Sequence, residues 1–299
     1  MSAHAEFLRA ASNDIELATR LKDDFRSARL TEEDRRMLEF VEKLTLCPWL
    51  LVKNDVTGLR QAGFSDSTIL HIILGCAHFN YLNRMADGIG IRFEYRTDIP
   101  DASVRSSGQR FAKPLLVDSS VPTPVALPTG SAWIAFPQSN KPIVNPERPH
   151  NLYWLMSYNR EACDLAAEWR HFQLRETRQL GALLRAQLAL YISGFNHCEY
   201  STYWMRRNLE RLGESRHLCD RLAAGEVPQA LPKGEELLFA HAMRLTHEPA
   251  ATRQEHIQQL RDAELDDHAI LQLTMLCSYF SFENRVAFGL GVPIENEML

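Results

Sequence analysis

From Thr31 onward the chain sets apolar residues at three-four spacing. Met37, Leu38, Val41 and Leu44, with Thr45 beside them, share one face of a helix over 31–46, with Thr31 as N-cap and Asp34 in its first turn. A short helix is expected from about Lys53 to Ala62, stopped by Gly63. Ser65 or Asp66 caps the next, roughly 66–86, which is apolar on most sides, as a helix in the middle of a bundle would be, and which ends at Asp87-Gly88. Two further helices are expected at about 159–176 and 178–193. No stretch alternates with period two for long enough to make a sheet, so the expected fold class is all-α.

The pattern repeats. Residues 34–94 align without a gap on 235–295 at an offset of 201, and 17 of those 61 positions are identical. The pairs include Leu44/Leu245, Thr45/Thr246, Asp66/Asp267, Cys76/Cys277, Phe79/Phe280, Asn83/Asn284, Arg84/Arg285, Gly88/Gly289 and Gly90/Gly291. Carried backwards, the offset pairs Leu8 with Leu209 and Leu30 with Leu231, and it sets Met1 against Thr202. The chain therefore divides into 1–98, a helical repeat that lacks its front part, 99–142, a connector, and 143–299, a complete helical unit. Residues 99–150 hold nine of the fourteen prolines, too many for helix or central strand, together with apolar anchors in VRSSGQRFAKPLLVD and SAWIAFPQ. That segment reads as an extended strap on the surface of one or both units, with a plain tether as the alternative.

Composition narrows the class. With 45% hydrophobic and 24% charged residues the chain can pack a core. Its net charge of −5 is mixed along the whole length, which offers no basic stripe for nucleic acid or an anionic membrane. The first thirty residues hold no apolar run for a signal peptide or membrane span, so the expectation is a cytoplasmic protein. Six dispersed cysteines without a C-x-x-C point to free thiols.

The run NLYWLMSYNREACDLAAEWRHFQLRETRQLGALLRAQLALYISGFNHCEYSTYWMRRNLERLG, the following helix ending in RLT, and the pair FNYLNRMADGIG and FSFENRVAFGLG carry a resemblance. Together they resemble the carboxymuconolactone decarboxylase and alkylhydroperoxidase D-like superfamily, nearest its peroxidase-related branch. The resemblance covers 143–299 as one unit and 1–98 as the back part of a second. It implies two helical bundles, a homo-oligomer or fused pseudo-dimer, no cofactor, a peroxide or small carbonyl substrate, and a thiol reductant.

Peroxidases of that family use a glutamate, then C-x-x-C, then a histidine one turn later. Cysteines three apart share a helix face, so one thiolate attacks the peroxide and the other resolves the sulfenic acid. Carried over, Cys198 matches the first cysteine, Ser201 stands where the second belongs, Met205 takes the place of the histidine, and the glutamate falls near Ala186. In the first copy only His4 lands on a motif position, that of the histidine. The candidate catalytic set is Cys198, His197, Glu199 and Ser201. A thiol at a helix N-terminus would have a lowered pKa, and His197 or Glu199 would manage the proton; the alternative is an inert packed thiol. Acid-base chemistry without a thiol, on a small carbonyl or lactone, and a non-catalytic scaffold or ligand-binding module are the other functions the resemblance leaves open.

His71 and His78 share a helix face near Cys76 and are weak metal candidates, with polar groups satisfied in the helix interior as the alternative. Asn83/Arg84 and Asn284/Arg285 recur in both copies, which points to capping of neighbouring helix ends or pairing across the repeat interface. The aromatic residues of NLYWLMSYN and YSTYW read as core or interface packing, with a pocket lining second.

Overall fold

A computed structural model describes residues 8–12, 14–91, 132–138, 151–175, 180–227, 231 and 234–295. Among these residues the regular structure is helical throughout and no strand occurs. The helices are α1 (Ile15–Asp24), α2 (Glu32–Leu46), α3 (Lys53–Gln61), α4 (Asp66–Ile89), α5 (Asn151–Met156), α6 (Arg160–Leu174), α7 (Ala182–Phe195), α8 (Glu199–Arg211), α9 (Arg216–Ala223), α10 (Glu235–His247), α11 (Gln254–Asp262) and α12 (Asp267–Leu290). Among the described residues no helix is long and apolar enough to cross a membrane.

The offset of 201 reappears in the element bounds. α3 and α11 coincide at both ends when shifted by it, as do α4 and α12, and so do the 3₁₀ turns Pro48–Leu50 and Pro249–Ala251. Thr31 caps α2 by accepting from the Asp34 amide, Ser65 caps α4 through the Thr68 amide, and Asp266 caps α12 through the Ala269 amide.

α4 and α12 lie antiparallel at the centre and share the most extensive helix contact in the molecule. Each helix sends an arginine across. Arg84 donates to the Thr246 carbonyl at 3.0 Å, in the last turn of α10, and Arg285 donates to the Thr45 carbonyl at 2.9 Å, in the last turn of α2. A second nitrogen of each ties it to its own helix, at Asn80 O and Ser281 O. Both guanidiniums thus complete the orphan carbonyls at another helix's end, where a cation also suits the helix dipole. Burial lowers the pKa of both.

Contrary to the sequence reading, Asp87-Gly88 does not end α4; the helix runs on to Ile89 and stops at Gly90, whose φ of +68° matches the +55° of Gly291. Gly88 serves close approach. A Cβ there would lie 2.5 Å from Thr274 Cγ2 on α12, and at Gly289 it would lie 2.9 Å from Ile73 on α4, the mirror contact at the same offset. The helices expected at 159–176 and 178–193 are α6 and α7, the latter beginning and ending later, and α5 precedes them.

Of the connector, residues 132–138 are described, and Trp133 and Ile134 are buried there. The Trp133 amide donates to Leu290 O, its carbonyl accepts from Arg60, and the Ala135 amide donates to Asp66. These residues are inserted at the junction of α3, α4 and α12, which a surface strap would not be. The rest of the expected strap lies outside the described residues.

Two predictions follow from this packing. Gly88→Ala should lower the urea midpoint by an amount corresponding to about 1–3 kcal/mol of overpacking. Gly75→Ala on the same helix, where a Cβ meets nothing within 4 Å, should leave stability unchanged or raise it by up to about 1 kcal/mol. The second concerns His241 on α10, buried where the first copy has Phe40. Desolvation, helped by Arg244 and His256, lowers its pKa to about 4. The unfolded chain takes up that proton first, near pH 6.5, so the contribution is full above that pH and is lost as the pH falls through about 4. His241→Phe should therefore lose about 2–3 kcal/mol less than wild type between pH 7 and 4, measured by denaturant unfolding.

Candidate functional site

Helix α8 begins where the motif begins. Ser193 O accepts the Cys198 amide at 2.9 Å, and Cys198 is the N-cap of α8. The preceding residue, His197, takes a left-handed φ of +57°, a conformation that turns the chain between α7 and α8 and costs a non-glycine residue energy. The turn separates the candidates. His197 is exposed, with its ring edge-on to Trp49 at 6.0 Å, and Glu199 is exposed on the other side. Cys198 points inward and is 1% exposed. The expectation that His197 or Glu199 manages its proton is therefore corrected: successive residues at the helix start diverge, and neither side chain hydrogen-bonds the thiol.

Ser201, one turn on, is brought to Cys198. The thiol donates to Ser201 Oγ at 3.6 Å, and Ser201 donates to Glu283 Oε1 at 3.2 Å. Glu283, on α12, also accepts from Tyr279 at 3.0 Å and pairs with Arg170 of α6. Arg170 reaches Met205 Sδ at 3.9 Å. So the place the resemblance gives to a histidine holds a thioether against a guanidinium, and the carboxylate arrives from Glu283, while Ala186 is a buried apolar residue of α7.

The electrostatics oppose a reactive thiol. An N-terminal helix position lowers a thiol pKa, but here burial pushes that of Cys198 up to about 12, with Glu283 adding to the rise and the Ser201 hydrogen bonds only partly offsetting it. The expected lowering does not occur, because the thiol is desolvated and faces a carboxylate. Tyr279 is likewise raised well above its usual value by burial and then Glu283. Burial alone would depress Arg170, yet Glu283, Tyr153 and Tyr279 together outweigh it and hold the guanidinium above its ordinary range.

A second buried carboxylate fixes α8 from its other side. Glu295 accepts from Tyr200 at 2.6 Å, from Trp204 Nε1 at 2.8 Å and from the Asn151 amide at the start of α5 at 2.8 Å. Two aromatic residues of YSTYW thus serve packing and anchoring.

The histidine candidates lie apart from this centre. The two ring nitrogens of His71 meet Ser67 O at 2.8 Å and the Asn159 side chain at 3.1 Å, and His78 is exposed with its ring stacked against Tyr81. Among the described residues no three His, Cys, Asp or Glu side chains are placed to hold a metal. His4 lies outside the described residues.

The sequence reading missed Arg170, Tyr279, Glu283 and Glu295. A signal existed for one: Glu283 is an acidic residue inside an apolar helix, where the first copy has Leu82.

No family model and no curated protein matches the chain. Among solved structures, it is similar to an uncharacterized peroxidase-related protein from Silicibacter sp. TM1040, at 20% identity and a TM-score of 0.46, over 49% of this chain and 76% of that one.

The ion pair can be tested directly. Glu283→Ala should cost about 3–5 kcal/mol by leaving Arg170 buried without its partner, whereas Arg170→Met combined with Glu283→Leu should recover most of that loss, read from denaturant unfolding.

Proposed function

We propose that the chain is an alkylhydroperoxidase D-like, peroxidase-related helical protein of two fused, related units, whose thiol centre has passed from peroxide chemistry to a structural role, leaving a non-catalytic scaffold. One observation supports the loss of chemistry: Cys198 is sealed in the interior and hydrogen-bonded to the serine that stands in the place of a resolving cysteine, and that burial pushes the thiol pKa up to about 12. Burial thus disfavours the thiolate, the form that attacks peroxide. The remaining polar groups are engaged in an ion pair and hydrogen bonds that hold α6, α8 and α12 together.

A second reading has one observation in its favour. The hydrogen bonds run from thiol to Ser201 to Glu283, the direction in which a proton would leave the sulfur. Under that reading Cys198 Sγ attacks one peroxide oxygen as the O–O bond breaks, the alcohol or water departs with the proton, and an external thiol reduces the resulting sulfenic acid.

Peroxide consumption with dithiothreitol as reductant, together with dimedone trapping and mass spectrometry at Cys198, separates the two. The expected result is no turnover above that of Cys198→Ser and no adduct at Cys198. Turnover that depends on Cys198, slowed by Glu283→Gln, would establish the second reading instead.

A further inference from the structure

Residues 132–138 form neither helix nor strand, and the rest of the fold holds them by the main chain at every second residue. The Trp133 amide donates to Leu290 O at 2.8 Å, and its carbonyl accepts from Arg60 Nη2 at 2.6 Å. The Ala135 amide donates to Asp66 Oδ2 at 2.8 Å, and its carbonyl accepts from the Tyr158 hydroxyl at 3.0 Å. The Pro137 carbonyl accepts from Trp154 Nε1 at 3.0 Å. Between these bonds the side chains are taken up: Trp133 and Ile134 are 3% and 1% exposed, and the Phe136 ring lies 4.5 Å from that of Trp154. The indole rests directly on the end of α12, where a Cβ on Gly291 would overlap the ring. Main-chain hydrogen bonds combined with places for particular side chains are the means by which proteins read a short peptide.

The helices build the same platform a second time. Arg261 Nε donates to Asp267 Oδ1 at 2.8 Å, as Arg60 Nε does to Asp66 Oδ1 at 2.7 Å, and Gly90 stops α4 in the left-handed conformation in which Gly291 stops α12. There a Cβ on the glycine meets nothing within 4 Å, and Asp267 is 78% exposed where Asp66 is 19%. An arginine–aspartate pair and a glycine stop of this geometry therefore form without a tryptophan upon them. In the first case the connector lies on a surface that is already shaped.

We propose that the junction of α3, α4, α5 and α12 is a recognition groove for a short apolar peptide of the form Trp-Ile-x-Phe-Pro, and that the connector supplies the occupant in cis. Arg60 and Asp66 read a carbonyl and an amide, groups that every peptide has, while the indole, the isoleucine and the phenyl ring give the selection. The third position accepts any small or polar residue, because Ala135 is exposed. Tethering sets the competition. A linked segment acts at an effective concentration on the order of millimolar, so a peptide of the same kind, free or displayed by a partner protein, enters only when the hold on the chain's own copy is weakened. The groove takes Arg60 and Asp66 from one half and Trp154, Tyr158 and Leu290 from the other, so its occupant also bridges the halves. The proposal is independent of whether Cys198 is reactive.

Fluorescence anisotropy of a labelled SAWIAFPQ peptide, titrated with the full chain and its variants, tests it. Trp133→Ala, which removes the anchor of the tethered copy, should bind the peptide about tenfold or more tightly than wild type does, and the peptide should raise its melting temperature towards that of wild type. Adding Arg60→Met to Trp133→Ala should weaken binding by about tenfold, and a peptide with alanine in place of tryptophan should not bind. Circular dichroism checks that each variant is folded. If Trp133→Ala does not fold, Ala135→Pro, which removes the amide that meets Asp66, takes its place in the same titration. A folded variant that fails to bind the peptide, binding no tighter than that of wild type, or binding that Arg60→Met leaves intact would each overturn the proposal. So would failure of both variants to fold, since the segment would then be an integral part of the core.

Discussion

The structure depends on the close antiparallel contact of α4 and α12. Two glycines at equivalent positions let the helices approach, and two arginines at equivalent positions reach from each helix into the end of a helix in the opposite half. Burying a guanidinium without a carboxylate is costly, and the depressed pKa values of Arg84 and Arg285 register that cost. Carbonyls at the ends of α2 and α10 would be orphaned in the same interior, and each arginine removes one such deficit. Because these glycine and arginine contacts have counterparts 201 residues away, they tie the two halves to one another. That reciprocity accounts for Arg84 and Gly88 in the first half, and Gly90 stands there as the left-handed helix stop that Gly291 provides in the second.

From this common centre the halves diverge, and the divergence decides where charge can sit. On α12 the position of Leu82 is taken by Glu283, which is tolerable only because Arg170, Tyr279 and Ser201 converge on it. On α4 the equivalent position is Leu82, which is exposed. The two residues answer different surroundings. The carboxylate, sealed among α6, α8 and α12, ties them together, whereas the exposed leucine has no charge to satisfy.

Much of this was legible in the sequence. The helix starts at Thr31 and Ser65, the helical class and the offset of 201 all rest on local patterns, and local patterns survive folding. The recurrence of Arg84 and Arg285 pointed to helix-end capping across the halves, which is what their hydrogen bonds do. Less could be read wherever the outcome depended on a partner distant in sequence. Gly88 looked like a stop because its reason, the side chain of Thr274, lies on another helix. Cys198 could be read as activated or as an inert packed thiol, because its helix position is visible in the sequence whereas the burial and the carboxylate that oppose activation come from elsewhere in the fold. Trp133 and Ile134 were read as anchors of a surface strap, yet they are inserted at the end of α12, a placement that proline content cannot reveal.

The residues around the thiol form one consistent set. A peroxidatic cysteine needs a group that takes its proton and a neighbour that stabilises the thiolate. Here Met205 offers neither, and Arg170, which reaches the Met205 sulfur, is paired with Glu283. Ser201 cannot resolve a sulfenic acid, but its hydroxyl can both accept from a thiol and donate to a carboxylate, and a second cysteine could do the latter only weakly. With serine in that place the carboxylate of Glu283 gains a further donor and the thiol a neutral acceptor. The Ser201 hydrogen bonds ease ionisation of Cys198, but the burial that closes the network and the charge of Glu283 outweigh them, so the same enclosure that satisfies these groups disfavours the thiolate.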